Sequence, residues 1–334
     1  MNPSRPSSRY VFLLVLALVT AGLVPAAATA QSADAPALHN GVVVDAVGGT
    51  GYLMKNPQGG IQAVDLLSGN VRWESVAAAK PLLLAGDTLV AQAAAPSGEL
   101  VIVTLDALRG TQKDQMTVPL PSGARALVVD GPSESFRVEA FRAADGSVVV
   151  NWTAEDGGTL QGLAPPELDA GQGEPGKALS LSQPVEPQHG AARLDLGAHR
   201  ALPLSDDESA ALRPREPQVK AALKAGGPPA FASADGRHVL HSERLAHGNA
   251  QARYHWTVTD ASGATVGSVD APISMAPYVV SGSQLFYVEM PSMRKAGASF
   301  ISEPLRLRAL DARTGAELWH ASVVDSEYRG PFPP

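Results

Sequence analysis

The 334-residue chain contains no cysteine. It can form neither a disulfide nor a thiolate metal site, so its stability has to come from a buried core. The same absence removes the residue on which a bacterial lipoprotein carries its lipid. Charged residues make up only 18% of the chain and aromatics only 5%. That charge content is too low for a highly charged disordered chain. No more than two Lys or Arg stand consecutively, and the formal charge is −7. A nucleic-acid partner requires a clustered basic footprint, so none is expected. There is also no G-x-S-x-G elbow and no H-E-x-x-H pair.

Hydrophobic residues, at 45%, are plentiful enough for a core, and the 32 Gly and 27 Pro suit many short elements joined by turns. Residues 1–30 read as a secretory signal peptide. Arg5 and Arg9 form a positive start, Val11 to Val24 an apolar stretch, and Ala28-Thr29-Ala30 an A-x-A cleavage site. The apolar stretch ends at Pro25, short of the ~20 residues that span a bilayer, so no stable membrane anchor is expected. Removal of this segment takes away two cations and leaves the chain more acidic. The expected location is periplasmic or secreted, with residues 31–41 a linker to the folded part.

An internal repeat organises the remainder. Ala63-Val64-Asp65-Leu66-Leu67-Ser68-Gly69-Asn70-Val71-Arg72-Trp73 is matched near the C-terminus by Ala309-Leu310-Asp311-Ala312-Arg313-Thr314-Gly315-Ala316-Glu317-Leu318-Trp319. Asp65, Gly69 and Trp73 stand at the spacing of Asp311, Gly315 and Trp319. A third copy keeps Asp106 and Gly110 but has Asp114 where the Trp would fall. A fourth keeps Asp260 and Gly263, is one residue shorter, and lacks the Trp. The unit reads as a hairpin: alternating apolar residues enter, Asp bonds the amides of the turn, and Gly supplies the positive φ of the reversal. The Trp then offers a broad face for the space between neighbouring units. A second repeated piece, Pro81 to Val90 against Pro277 to Phe286, reads as strand, two-residue turn, strand.

These segments resemble the repeats of quinoprotein-type (PQQ-like) β-propellers. The resemblance implies an all-β propeller of four-stranded antiparallel blades. At about 40 residues per blade it gives six or seven blades, with eight possible, over residues 42–325. Blades are expected near 42–78, 80–120, 122–156, 226–271 and 273–323, with closure joining strands from both termini. Residues 157–225 are Pro-rich and read as one irregular blade or insertion. Within it, Ser205 to Leu212 fits a capping box and a short helix. Residues 326–334 form a tail.

Catalytic members of that family oxidise alcohols or sugars with a quinone and a calcium ion held by acidic and amide side chains. Many also place adjacent cysteines at the cofactor. This chain has no cysteine and no such acidic and amide set, so no cofactor, metal or catalytic residue is assigned and the chain is read as a non-enzyme. The family also includes an outer-membrane assembly lipoprotein, which implies an envelope or secreted protein partner. The alternative is a ligand site or enzyme in the central channel. Two further groups stand out. His238, His241, His247 and His255 lie close in sequence but match no metal motif. Phe286, Tyr287, Met290 and Met293 run into Arg294-Lys295 as a candidate binding loop. Composition is silent on oligomeric state.

Overall fold

Short alternating apolar runs punctuated by Asp and Gly turns build strands almost throughout. The computed structural model describes residues 34–55, 60–94, 99–122, 124, 136–154, 188–213, 230–245, 252–296 and 299–323. The expected signal peptide and the C-terminal tail lie outside the described residues.

A first strand, β1 (Ala35–His39), precedes five four-stranded antiparallel sheets. Blade 1 comprises β2 (Val42–Asp45), β3 (Thr50–Met54), β4 (Ile61–Asp65) and β5 (Val71–Ser75). Blade 2 comprises β6 (Lys80–Ala85), β7 (Thr88–Gln92), β8 (Leu100–Asp106) and β9 (Gln112–Val118). Blade 3 comprises β10 (Phe136–Arg142), β11 (Val148–Ala154), β12 (Gln188–Asp195) and β13 (Arg200–Leu204). After helix α1 (Asp206–Leu212), blade 4 comprises β14 (Ala230–Ala232), β15 (His238–Leu245), β16 (Arg253–Asp260) and β17 (Thr265–Ala271). Blade 5 comprises β18 (Tyr278–Ser281), β19 (Gln284–Glu289), β22 (Leu305–Asp311) and β23 (Glu317–Val323). Between β19 and β22 a separate hairpin rises, β20 (Ser292–Ala296) with β21 (Ser299–Glu303). This is an all-β propeller of four-stranded antiparallel blades.

The layout differs from the expectation in three ways. Five blades are seen among the described residues, against six or seven expected. The stretch 157–225 does not hold a blade of its own there: β12 and β13 pair in register with β11 and complete blade 3. Closure also works differently. Among the described residues blades 5 and 1 share no ladder; side chains bridge them, with Ser281 Oγ donating to Ala46 O at 2.7 Å and Trp319 Nε1 donating to Leu66 O at 2.9 Å. The expected helix is present, with Ser205 as N-cap and a reciprocal Glu208 bond.

Apolar side chains from facing blades interlock. Val42, Leu53 and Val64 of blade 1 share a core with Phe286, Leu305 and Leu307 of blade 5. Leu82, Val90 and Ile102 of blade 2 meet Val138, Val150 and Trp152 of blade 3. Trp256 and Val269 of blade 4 meet Tyr278 and Tyr287 of blade 5. Each such fully buried side chain contributes about 1.5–3 kcal/mol relative to exposure.

β1 lies at the centre. It pairs with the innermost strands of two blades, through Ala37↔Val43 to blade 1 and Ala35↔Leu84 to blade 2. The Asp34 carboxylate accepts the Gly86 amide of blade 2 at 2.9 Å and forms an ion pair with Arg142 of blade 3. Across a cavity of about 40 Å³ it faces Asp235 and Arg237 of blade 4 and Val279 of blade 5. The first described strand therefore lies in the channel between the innermost strands of blades 1 and 2.

Antiparallel order puts all ten within-blade turns of two types at one end of the ring. These turns, first-to-second strand and third-to-fourth, are two to five residues long. The two turns touch within a blade: Leu66 N donates to Gly49 O, Ala107 N to Asp87 O, and Ala312 N to Ser283 O. The strands that flank the longer connections, 119–135, 155–187 and 205–229, end at the opposite side, where the β20–β21 hairpin also leaves blade 5.

Candidate functional site

The repeat residues come together in the third-to-fourth-strand turns, where each has a structural task. Asp65 Oδ1 accepts Ser68 N at 2.9 Å, Asp106 Oδ1 accepts Leu108 N and Arg109 N at 3.0 Å, Asp260 Oδ1 accepts Ser262 N at 2.8 Å, and Asp311 Oδ1 accepts Thr314 N at 2.8 Å. These bonds favour the charged form. The Arg72 guanidinium, with help from Ser68, pulls the Asp65 carboxyl down to about 2, and turn bonds lower Asp260 and Asp311 as well. Gly69, Gly110, Gly263 and Gly315 all take positive φ.

The tryptophans act between blades. Trp73 of blade 1 lies on the Gly110 turn of blade 2 and donates from Nε1 to Ala107 O at 3.0 Å. Trp319 of blade 5 lies on the Gly69 turn of blade 1 in the same way. A Cβ at Gly110 would sit 2.4 Å from Trp73 Cε3, and one at Gly69 would sit 2.7 Å from Trp319 Cγ. Glycine is therefore required twice over, for its φ and for the indole above it. Each Trp continues a cross-strand row through a small residue: Tyr52–Ala63–Trp73 in blade 1 and Phe286–Ala309–Trp319 in blade 5. The ring centroids in each row are 5.9 Å apart.

The degraded copies are explained by their neighbours. Asp114 occupies the Trp position of blade 2. The turn it meets in blade 3 starts at Asp195 and has His199, not Gly, four residues on. His199 takes φ 54° and brings Nδ1 to 2.7 Å from Asp114 Oδ2, so an imidazole–carboxylate pair stands where the blade 1–2 and blade 5–1 joints have an indole on a glycine. In blade 4 Gly267 takes the Trp position, because the Ala312 carbonyl of blade 5 would lie 2.0 Å from any Cβ there.

The docked turns display what they do not bury. The residue after the Asp is buried in three of the four repeat turns, Leu66, Ala107 and Ala312, whereas Ala261 is exposed. The next one points out, and in the two turns that receive a Trp it is leucine, Leu67 at 77% and Leu108 at 76% exposure. With exposed Val71, Leu318, Arg109 and Arg313, these residues form an apolar and cationic rim running over blades 5, 1 and 2. Arg109 Nη1 reaches its own turn carboxylate, Asp106 Oδ2, at 3.4 Å, an exposed ion pair at the rim. Sequence reasoning missed this rim, although a leucine in an otherwise polar turn was its visible sign.

The other candidate groups resolve differently. Phe286 and Tyr287 are buried in the blade 5 core, not in a binding loop; Met290 is exposed. Phe286 and Tyr287 sit on β19, paired with Ala309 and Arg308 of β22. The side chains of Met293, Arg294 and Lys295 lie outside the described set. His241 and His255 line one cleft, while His238 lies at the short-turn end of β15; no group of three metal-ligating side chains occurs among the described residues. Burial pushes the Tyr52, Tyr278 and Tyr287 hydroxyls up, keeping them neutral.

No family model and no curated protein matches the chain. Among solved structures, BamB from Moraxella catarrhalis is 13% identical at a TM-score of 0.25, covering 83% of this chain and 62% of its own. The quinohemoprotein alcohol dehydrogenase ADHIIG from Pseudomonas putida is 10% identical at 0.25, covering 84% and 58%. The β-propeller domain of Myceliophteria thermophila Cps50 is 10% identical at 0.24, covering 86% and 87%. The chain thus spans less than two thirds of the first two. At these scores the likenesses carry no argument about function, and the fold rests on its own ladders.

Proposed function

We propose that this protein is an exported, non-enzymatic propeller that serves as a protein-binding or scaffolding module in the bacterial envelope. The observation that carries the reading is the rim of blades 5, 1 and 2. Leu67 and Leu108 are large apolar side chains held about three-quarters exposed at equivalent turns, flanked by Arg109 and Arg313. Apolar side chains mixed with Arg are the composition of protein interfaces, and rigid turns reduce the ordering cost of binding. The partner that fits is a protein surface with apolar and acidic side chains.

The alternative, a ligand site or enzyme in the central channel, has less support. β1 occupies the channel, leaving about 40 Å³ near the short turns and a cleft of about 360 Å³ at the other mouth. The carboxylates with shifted pKa lie in turns, in the α1 cap or in rim ion pairs, and all shift downward.

The test is affinity capture from envelope extract with the processed chain and with its Leu67→Glu/Leu108→Glu variant. A partner that is enriched by the first and lost by the second supports the rim. Capture that is identical for both removes it. A bound quinone, metal or small molecule without a protein partner moves the function to the channel.

A further inference from the structure

Methionine is ordinarily a core residue, filling gaps with a flexible apolar side chain. Met1 apart, the chain has five: Met54, Met116, Met275, Met290 and Met293. Met54 and Met116 are buried in the core, whereas Met275 and Met290 are 52% and 49% exposed. Burial therefore accounts for only part of what these two do. One exposed apolar side chain would call for no explanation, but the fold places these two together.

They flank the inner hairpin of blade 5 at its long-connection end. Tyr278 pairs with Tyr287, and the bond from Val288 N to Pro277 O at 3.0 Å carries that register one step past the ladder. Two steps further, it sets Met275 opposite Met290. Proline keeps both segments extended there, since Ala276 precedes Pro277 and Met290 precedes Pro291. Strand alternation assigns both methionines to the face of Val279 and Val288, which belong to the core shared with blade 1. Directly opposed Cβ atoms stand about 4.5–5.5 Å apart, a span that two flexible thioether side chains close onto one ion. The sequence adds a further thioether three residues on, Met293, at the second position of β20.

The donor type selects the ligand. Thioether sulfur is soft and suits Cu(I), whereas calcium, magnesium and manganese take oxygen donors. The carboxylate beside Met290, that of Glu289, is engaged by Arg308 at 3.3 Å and is not free to make a hard-cation site. With no cysteine in the chain, thioethers are its only sulfur donors.

We infer that Met275 and Met290 form a surface site for a soft monovalent metal ion, Cu(I), at the long-connection end of blade 5. A thioether carries no proton, so the ion competes with none for its ligands. Binding should therefore persist at pH values where an imidazole site protonates and releases its metal. The site lies at the opposite end of the ring from Leu67 and Leu108 and does not depend on the rim.

The test titrates the processed chain with Cu(I) under anaerobic conditions against a chromophoric Cu(I) chelator, and with Ag(I) as a redox-inert stand-in. One equivalent should bind, with the same affinity at pH 7 and at about pH 5. In protein carrying ¹³C at the methionine methyls, the Met275 and Met290 signals should shift while those of Met54 and Met116 stay in place. Zn(II) should shift none of them. Met275→Leu and Met290→Leu are close in volume at half-exposed positions, so both should fold as wild type. Each should weaken Cu(I) binding by about tenfold or more, since loss of outer-shell support alone costs about 10–100-fold. Leu67→Glu/Leu108→Glu should leave the affinity unchanged. No binding, binding that survives both methionine substitutions, or binding that disappears at pH 5 overturns the inference.

Discussion

Replacing Gly110 by alanine tests the inter-blade joint, because the structure contains its own control. The new Cβ meets two separate costs. At φ +70° an L-residue pays about 1–2 kcal/mol for the left-handed conformation. It also lies 2.4 Å from Trp73 Cε3 and 2.7 Å from Cδ2, so the indole has to leave its seat. Displacement breaks the 3.0 Å bond from Trp73 Nε1 to Ala107 O, worth about 1 kcal/mol, and uncovers part of an aromatic face worth about as much again. Gly110→Ala should therefore cost about 3–4 kcal/mol. Gly263 has φ +84° with nothing within 4 Å of a built Cβ, so Gly263→Ala should cost only the backbone part, about 1–2 kcal/mol. Urea unfolding of both variants measures the difference. In a Trp73→Ala background the Gly110→Ala cost should drop to the Gly263 level, since the clash has been removed. Equal costs for the two glycines in the wild-type background would refute the joint.

Three further outcomes are expected. Asp114→Trp with His199→Gly rebuilds the indole-on-glycine joint between blades 2 and 3, and should raise the urea midpoint above either single variant; a double variant no more stable than its parents would show that the ion pair is not the equivalent joint. The Asp65 carboxyl titrates at about 2 in the fold, chiefly through Arg72, against about 4 when unfolded. A lowered carboxyl stabilises above the unfolded value and loses that contribution as pH falls toward the folded one, so Asp65→Asn should lower the midpoint at pH 7 and flatten its fall between about pH 4 and 2. Leu67→Glu/Leu108→Glu should leave thermal stability within about 0.5 kcal/mol of wild type, because both side chains are largely exposed; a larger loss would show that they pack rather than display.

The parts of the fold that were legible in the sequence are those where one residue type does one job. Asp, Gly and Trp at fixed spacing marked blades 1 and 5, and the Asp106 and Asp260 copies marked blades 2 and 4, because a capped turn with a left-handed residue has few alternatives. The end of blade 3 was illegible for the complementary reason: His199 takes the left-handed position that Gly fills elsewhere, so the turn between β12 and β13 carries no glycine signal there. β1 was equally hidden. Ala35-Pro36-Ala37-Leu38 has no clean alternation and contains a proline, and its place is set by β6, distant in sequence, and by Asp34 as well as by neighbouring β2. The histidines showed only as a cluster. That two of them share a cleft follows from the β15–β16 register, which a list of spacings does not contain.

The rim and the joints are connected through the turn itself. An indole seated on the turn glycine takes the carbonyl of the residue after Asp, which fixes that residue inward and forces the next one outward. The two turns that receive a Trp place Leu67 and Leu108 at that outward position. The three turns that receive none place Gly197, Ser262 and Arg313 there. Packing alone does not account for this pairing, because an outward leucine adds nothing to the joint beneath it and exposes apolar surface to water. Display does account for it, since a side chain on a clamped turn loses less freedom on binding than one on a mobile loop. The joints between blades 5, 1 and 2 are thus the same parts that carry the exposed leucines on which the proposed interaction surface rests.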